Sequence, residues 1–464
     1  MSDIRKKQEI ELDVTDMAFG GRGLARVDGL AVFVDDAVAG DRVRARVVKK
    51  KKRHAEAKTL EVLSPSADRV IPVCSYAAHC GGCKWQHLQY EKQLHYKTLQ
   101  VGEALEHIGG IKGVSVLPAL ASPRSFHYRN KMEFTCTDSR WLLPEELANP
   151  DVKKDAAIGL HVPGAFDRVL DIHKCHIQPE RATPLLDFIR REILASGLPM
   201  YGLRSHEGFW RFVMLRHSLA DDVFMVNLVT KDPDADVLLP MAERIRQAFP
   251  EVVSVVNNVT RRKAGVAIGE EEFLLSGEPA IYDAIGSFRF KISANSFFQT
   301  NTAGAEKLYA QVAAYAELRG GEKVLDLYSG TGTIPIFLSK AASEIIGIEI
   351  VESAVADARM NCLENGVENC RFILGDMKDV LPGLDAKPDV MIIDPPRAGM
   401  HPDVVKRILE LAPERMVYVS CNPATMARDL AMMQGAYEIL EVQPVDMFPH
   451  TFHIEAVAKL RRKL

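Results

Sequence analysis

Cys421 stands in the run Ser420-Cys421-Asn422-Pro423, after the apolar stretch RMVYV and before PATMARDLAMM. The first stretch reads as a buried strand and the second as a helix. A free cysteine is usually a small core residue. Between a strand end and a helix start it instead meets backbone amides, which are expected to lower its pKa. Even at its ordinary pKa of about 8.5, a thiol is a strong nucleophile near neutrality. A second group, Asp326-Leu327-Tyr328-Ser329-Gly330-Thr331-Gly332-Thr333, closes another apolar run. Its glycines let backbone approach a ligand. Glu349 comes 19 residues after Gly330, where an acid can hold the hydroxyls of a ribose, and Asp376 ends a third run, where it can face an adenine. The later third glycine of the dinucleotide fingerprint is missing, which disfavours NAD. A third group is Cys74, Cys80 and Cys83, spaced C-x5-C-G-G-C. Zinc and an iron–sulfur cluster both fit that spacing, with a fourth ligand elsewhere.

Two further runs belong with Cys421. Ile393-Asp394-Pro395-Pro396-Arg397 ends a fourth apolar run. Its paired prolines make a stiff turn without backbone donors, leaving carbonyls and Asp394 to line a pocket. Arg397 adds a cation suited to an acidic base or a phosphate. His450-Thr451-Phe452-His453-Ile454-Glu455 opens the last apolar run. Standing alone, Glu455 would be read as a surface acid.

The elements that must position these groups are legible from 321 onward. KVLDLYSG, EIIGIEI, RFILGD, PDVMIIDPP and RMVYVSCNP are apolar runs separated by segments able to cross back, the pattern of a parallel sheet with helices on both faces. YEILEVQPVDMF and HIEAVAKLRR are joined by too short a turn for a crossover, so they pair antiparallel. That places Glu455 at the same sheet edge as Cys421 and Asp394. At the other end of the chain, IELDV, GLARV, LAVFV, DRVRARVV and AKTLEVL read as five short strands of an oligonucleotide-binding-like barrel. Residues 65–72 read as a linker and 86–108 as a helix stopped by Gly109-Gly110. Residues 111–290 mix strands and helices.

SCNP, DPPR and PHTxHxE, with the preceding FFQTN at 297–301, resemble the RNA uracil-5-methyltransferase family, and DxxxGTG with its Glu resembles the class I methyltransferases. The likeness spans nearly the whole chain, since this family also places a small TRAM barrel at the N-terminus. It implies a multidomain α/β protein: an OB-like TRAM β-barrel at 1–66, a central α+β domain with an iron–sulfur cluster at 67–295, and a Rossmann-like class I methyltransferase domain at 296–464. The helix near 86–109 is expected to pack on the catalytic domain. By motif, Cys421 is the nucleophile and Glu455 the general base. Gln299, Tyr328, Thr333, Glu349, Asp376 and Asp394 contact S-adenosylmethionine. Tyr328 and Thr333 take positions that vary in the family.

The implied chemistry needs both a thiol and a carboxylate. C5 of uracil is a poor nucleophile. A thiolate adding to C6 makes an enolate whose C5 attacks a sulfonium methyl, and a base then removes the C5 proton so that the thiolate leaves. CGGC with Lys174-Cys175-His176-Ile177 resembles the [4Fe-4S] ligand set of the ribosomal-RNA members, implying Cys74, Cys80, Cys83 and Cys175 as ligands; Cys136 is the competing fourth. The tRNA members are expected to lack both this set and the barrel. No redox partner is evident, so the cluster is expected to fold the central domain and shape the RNA surface. Cys362 and Cys370 read as structural.

The implied partner is 23S rRNA, at a loop or bulge, because the target base must be unstacked. Tyr128-Arg129-Asn130-Lys131-Met132 resembles a family motif near the RNA. From Arg42 to Lys58 there are nine Lys or Arg against Glu56 alone, a patch able to meet phosphates although the chain's net charge is −4. A tRNA uridine methyltransferase and a catalytically silent RNA-binding or RNA-folding protein are the rival readings. The chain is 47% hydrophobic and 26% charged, a globular balance. With no signal-like N-terminus and no long apolar run, a cytoplasmic protein without a membrane segment or obligate protein partner is expected.

Overall fold

The computed structural model describes residues 4–384 and 387–463. Residues 9–64 form a six-stranded barrel-like sheet in which short strands alternate buried and exposed residues. The sequence predicts five of these strands. The sixth, Asp16–Ala18, is three residues long, too short to show alternation. The linker is not free: Arg69 bonds the buried Asp41 carboxylate through Nε and Nη2 (3.1 and 2.5 Å) and the Asp36 carbonyl (3.1 Å).

A seven-stranded, mostly antiparallel sheet forms the middle of the molecule. One of its faces is packed by the helices Ala182–Ala195 and Ala235–Ala248, whose Leu186, Ile189, Met241 and Ile245 meet Phe134, Val213 and Val226. A hairpin, Ile281–Ile285 with Phe288–Ile292, leads into the last domain.

The C-terminal sheet has eight strands. Four neighbouring pairs are parallel, joining Cys370–Leu374, Glu344–Glu349, Lys323–Leu327, Val390–Ile393 and Arg415–Ser420 in that order. Glu455–Arg462 and Tyr437–Val445 close it as an antiparallel pair. The interior strands are buried on both faces, which explains their unbroken apolar runs.

This sheet also recruits chain from before the central sheet. Ser115–Val116 pairs parallel with Glu441 and Val442. The helix, observed as Tyr90–His107, buries Val101, Ala104 and Leu105 in one core with Met426, Leu430 and Val442. Residues 90–116 therefore lie with the C-terminal sheet, so 67–295 is not one spatial unit. Among the described residues no helix is long and apolar enough to cross a membrane.

Candidate active site

The parallel strands deliver Tyr328, Glu349, Asp376, Asp394 and Cys421 to one sheet edge, where open α/β sheets bind ligands. After Leu327 the chain turns sharply, with Tyr328, Gly330 and Gly332 at φ of +65°, +52° and +77°. A Cβ on Gly332 would meet the Phe372 ring at 2.8 Å, whereas one on Gly330 would meet nothing within 4 Å. The first glycine position is thus open toward a ligand, and the second is needed for packing.

Glu349 is fixed before any ligand arrives. Its Oε2 accepts from Gly330 N (2.9 Å), and its Oε1 accepts from Ile350 N and Val351 N (2.8 and 2.9 Å). A carboxylate has about four acceptor sites, so one remains for a ribose hydroxyl. Both carboxyl oxygens of Asp326 are buried without a hydrogen-bond partner. Asp376 caps the helix Met377–Val380 through Lys378 N (3.0 Å). An opening at Gly330, spare acceptor capacity on Glu349 and an orphaned buried acid together fit a nucleoside bearing hydroxyl and amino groups.

Gln299 and Thr333 are joined by a residue the sequence reading missed. Tyr309 Oη lies 2.8 Å from Thr333 Oγ1, and its hydroxyl also bonds the Gln299 side chain. Tyr309 falls at core spacing on the helix Thr302–Ala316, so no sequence signal marks it. Asn130, expected near the RNA, has a role at the cofactor side instead. Its Nδ2 donates to Gln299 O and to Thr302 Oγ1, both at 2.8 Å. Within the motif 128–132, then, Tyr128 and Asn130 are buried and serve the catalytic domain rather than a solvated face.

At the reacting half, the ladder sets the geometry. Ser420 pairs with Ala456 in the antiparallel register, so the next residue on each strand, Cys421 and Glu455, lies past the end of the ladder at one corner. The DPPR turn is tied to this corner, because Arg397 O accepts from Asn422 Nδ2 (3.0 Å) and Thr425 Oγ1 (3.3 Å).

The thiol departs from expectation. Burial pushes Cys421 up to about 11, and Glu455 and Asp394 push the same way; Arg397, hydrogen-bonded to the sulfur, opposes them. The helix start does not lower it, for two local reasons. Pro423 has no N–H, and Ala424 N is already bonded to Asn422 Oδ1 (3.1 Å). Burial also raises Asp394 to about 6. Glu455 lies well above the usual carboxylate range, from burial first and Asp394 second, against Arg397. The corner therefore holds a thiol and two acids whose burial makes charge costly, with one guanidinium to receive negative charge when it develops.

The loop before Glu455 is held from outside the sheet. Lys84 N and Trp85 N, directly after Cys83, both donate to His450 O at 2.9 Å. Gln93 Oε1 accepts from His450 N (2.8 Å), and Phe126 stacks on the His450 ring at 4.2 Å. Lys97 Nζ, fully buried, reaches Asp446 Oδ1 (2.6 Å) and Phe448 O (3.1 Å).

None of the eight cysteines is joined in a disulfide. The Cys83 thiol is raised to about 12 by burial, with smaller contributions from Cys175, Cys80 and Cys74, and Cys80 is raised to about 11 with Cys175 and Cys74 contributing. These four sulfurs lie within electrostatic reach of one another. Gly82 N donates to Cys80 Sγ at 3.4 Å. Cys136 lies apart, fully buried in the central core, with Arg190 as its charged neighbour. Among the described residues no three His, Cys, Asp or Glu side chains are gathered as a single metal ion requires.

The tRNA (Uracil-5-)-methyltransferase family matches residues 243–380 and 383–463, and the TRAM domain matches residues 5–60. An uncharacterized RNA methyltransferase of Chlorobaculum tepidum is 45% identical over 99% of this chain and 97% of its own. One from Porphyromonas gingivalis is 42% identical over 97% and 99%. The crystal structure of Pyrococcus abyssi tRNA (uracil-54, C5)-methyltransferase with S-adenosyl-L-homocysteine is 30% identical, with a TM-score of 0.77, covering 97% of this chain and 100% of that one. A match so nearly complete includes the barrel, so an enzyme named for tRNA has its counterpart. The barrel therefore does not separate rRNA from tRNA members, contrary to expectation. The chain belongs to the RNA uracil-5-methyltransferase family, with an N-terminal TRAM domain, and is an S-adenosylmethionine-dependent RNA methyltransferase.

Proposed function

We propose that this enzyme methylates C5 of a specific uridine in 23S rRNA through a covalent bond between Cys421 and C6. The observation that carries the mechanism is the ladder end at Ser420–Ala456, which sets the thiol of Cys421 and the acid of Glu455 at one corner beside Asp394. When bound, S-adenosylmethionine supplies an electrophilic methyl group. Glu349, Asp376, Gln299, Tyr328 and Thr333 would hold it, and Asp394 would border its reacting end. The thiol and the Glu455 carboxyl each lose their proton to water before the uridine closes the corner, with Arg397 stabilising the sulfur anion that then adds to C6. After methyl transfer the Glu455 carboxylate takes the C5 proton, the C5–H electron pair reforms the C5–C6 double bond, and the C6–sulfur bond breaks to return the thiolate.

The ribosomal substrate rests on the cysteine set. Cys74, Cys80, Cys83 and Cys175 would hold a [4Fe-4S] cluster, the ligand set that the resemblance to the ribosomal-RNA members implies. Zinc draws four sulfurs to about 2.3 Å from one point, whereas a cluster takes its thiolates at separate irons. Cys175 suits the fourth position because it shares the field of the other three, which Cys136 does not. The cluster would order the segment that grips His450, a structural rather than redox task.

Phosphates of the RNA would meet the barrel at its hairpin tip, where Lys52 and Arg53 are exposed. The arginines of the adjoining strand are already matched, Arg42 to Glu11, Arg44 to Glu9 and Glu61, and Arg46 to Glu9. Action on ribosomal RNA carries with it a cytoplasmic location. A tRNA uridine is the second reading, favoured by the Pyrococcus abyssi neighbour. Mapping 5-methyluridine in 23S rRNA and in tRNA, from cells with and without this gene, tests both: loss of a 23S signal is expected, and loss of a tRNA signal instead would overturn the substrate.

A further inference from the structure

The central sheet has two unlike faces. On the strand Lys131–Thr137, Met132, Phe134 and Cys136 point into the helix-covered core. Lys131, Glu133 and Thr135 point the other way, paired in register with Arg216, Met214 and Phe212. That second face packs only a small apolar cluster of Phe212, Met214, Val229 and Ala267.

Beside Thr135 and Phe212 a cavity of about 670 Å³ opens. Phe166, Tyr201 and Phe212 give it aromatic walls, Arg211 and Lys263 give it basic ones, and His161, whose pKa burial lowers, adds a polar ring; no acid is among its lining residues. Arg211 is 2% exposed and lies 4.3 Å over the Tyr201 ring. Its two terminal nitrogens reach Thr260 O (2.6 Å) and Ala264 O (3.2 Å), while its Nε is buried without a partner. Phe166, by contrast, is 73% exposed, a ring that folding leaves in water. Lys263 is exposed as well.

We propose that this cavity is a second base-binding site for the RNA substrate, which holds an unpaired nucleotide a short distance along the strand from the target uridine. An aromatic platform, a stacked guanidinium and a lysine without opposing acids are complementary to a base and its phosphate. A cationic ligand is disfavoured by the same lining. The site is also connected to the chemistry. Asn130, bonded to Gln299 O, immediately precedes the strand that carries Thr135, and five residues of extended chain span about 17 Å. A few nucleotides of extended RNA cover that distance. His161, on the cavity wall, accepts from Gly81 N (2.9 Å), so the cysteine loop borders the same track.

This inference rests on the RNA-methylating activity but not on which RNA is methylated. The test uses the full-length enzyme, its Phe166→Ala/Lys263→Ala and Phe166→Tyr variants, and a transcript spanning the mapped uridine. Each unpaired nucleotide near the target is made abasic in turn. Binding is read by anisotropy and turnover by methyl transfer. The double variant is expected to bind the transcript roughly ten-fold more weakly or worse, with kcat at saturating RNA and KM for S-adenosylmethionine unchanged. Phe166→Tyr, which keeps the ring, should bind as wild type does. One abasic position should weaken wild-type binding as much as the double variant does, with no further loss when the two are combined. Unchanged affinity in the double variant, or losses that add at every abasic position, would overturn the site. A wild-type enzyme that binds the transcript through Phe166 yet forms no 5-methyluridine in it would overturn the substrate assignment and leave this inference standing.

Discussion

The cofactor half and the reacting half of one sheet edge are built on opposite principles. At Glu349, three backbone N–H groups already satisfy the carboxylate, and the turn at Tyr328 to Gly332 is set by backbone angles. At Cys421, burial works against charge on every acid and on the thiol, and one guanidinium stands against them. A binding site gains from being complete before its ligand comes. A site that makes and breaks a covalent bond gains from groups whose charge is costly until the transition state needs it. The two halves should therefore fail differently when altered.

The largest effect is expected at the thiol. Cys421→Ala should lower kcat by at least about 10⁴-fold, leaving binding of S-adenosylmethionine and the melting temperature near wild type. Turnover assays with calorimetric binding check this, and a modest loss would show that the thiol is not the nucleophile. Next comes Glu455→Gln, which keeps shape and hydrogen-bonding capacity but cannot take the C5 proton. Turnover should fall about 10²- to 10⁴-fold while the methylated adduct accumulates, visible as protein that migrates with RNA on a denaturing gel.

Glu349→Gln probes the other half. An amide nitrogen facing Gly330 N or the Ile350 and Val351 amides puts donor against donor, a loss of about 1–3 kcal/mol. KM for S-adenosylmethionine should rise about ten-fold or more, and the rate at saturating cofactor should change little. A kcat effect with unchanged KM would blur the distinction between the halves.

The last expected effect is on stability rather than turnover, and it has the opposite sign. Asp394, at about 6 when folded against an ordinary 3.8, holds its proton more tightly folded than unfolded. Its contribution is thus fully present below about pH 3.8 and is lost as pH rises through 6. Asp394→Asn removes that loss, so the variant should gain up to about 3 kcal/mol over wild type at pH 8 and nothing near pH 3.5. Melting curves at several pH values check it. A variant that is destabilised at pH 8 would show that the Asp394 carboxylate is held by partners rather than merely buried.

The same contrast explains what was legible in the sequence. Strands buried on both faces write continuous apolar runs, and their ends carry Glu349, Asp394 and Cys421, while Asp376 follows the outer strand Cys370–Leu374, so the sheet edge can be read directly. Glu455 needed one further step, the short turn that forces the last two strands antiparallel. The thiol's state was not legible, because it depends on where the first helical N–H groups point and on how deeply Glu455 and Asp394 lie. Tyr309 was missed because it looks like an ordinary helix residue until the fold brings it to Gln299, and Asn130 was read toward the RNA because its bond to Gln299 depends on a contact 169 residues away. Ser115–Val116 is too short to show any period. Lys97 did leave a signal: it shares a helix face with Leu94 and Val101, where a lysine needs a buried partner, and that partner is Asp446.

The central claim is that Cys421 attacks the RNA and Glu455 releases it. Its most direct measurement is peptide mass spectrometry of the Glu455→Gln enzyme after incubation with substrate RNA and S-adenosylmethionine, followed by nuclease and protease digestion. The account predicts a peptide containing Cys421 that carries a methylated uridine nucleotide. No RNA-linked peptide, or one linked through any of the other seven cysteines, would contradict it.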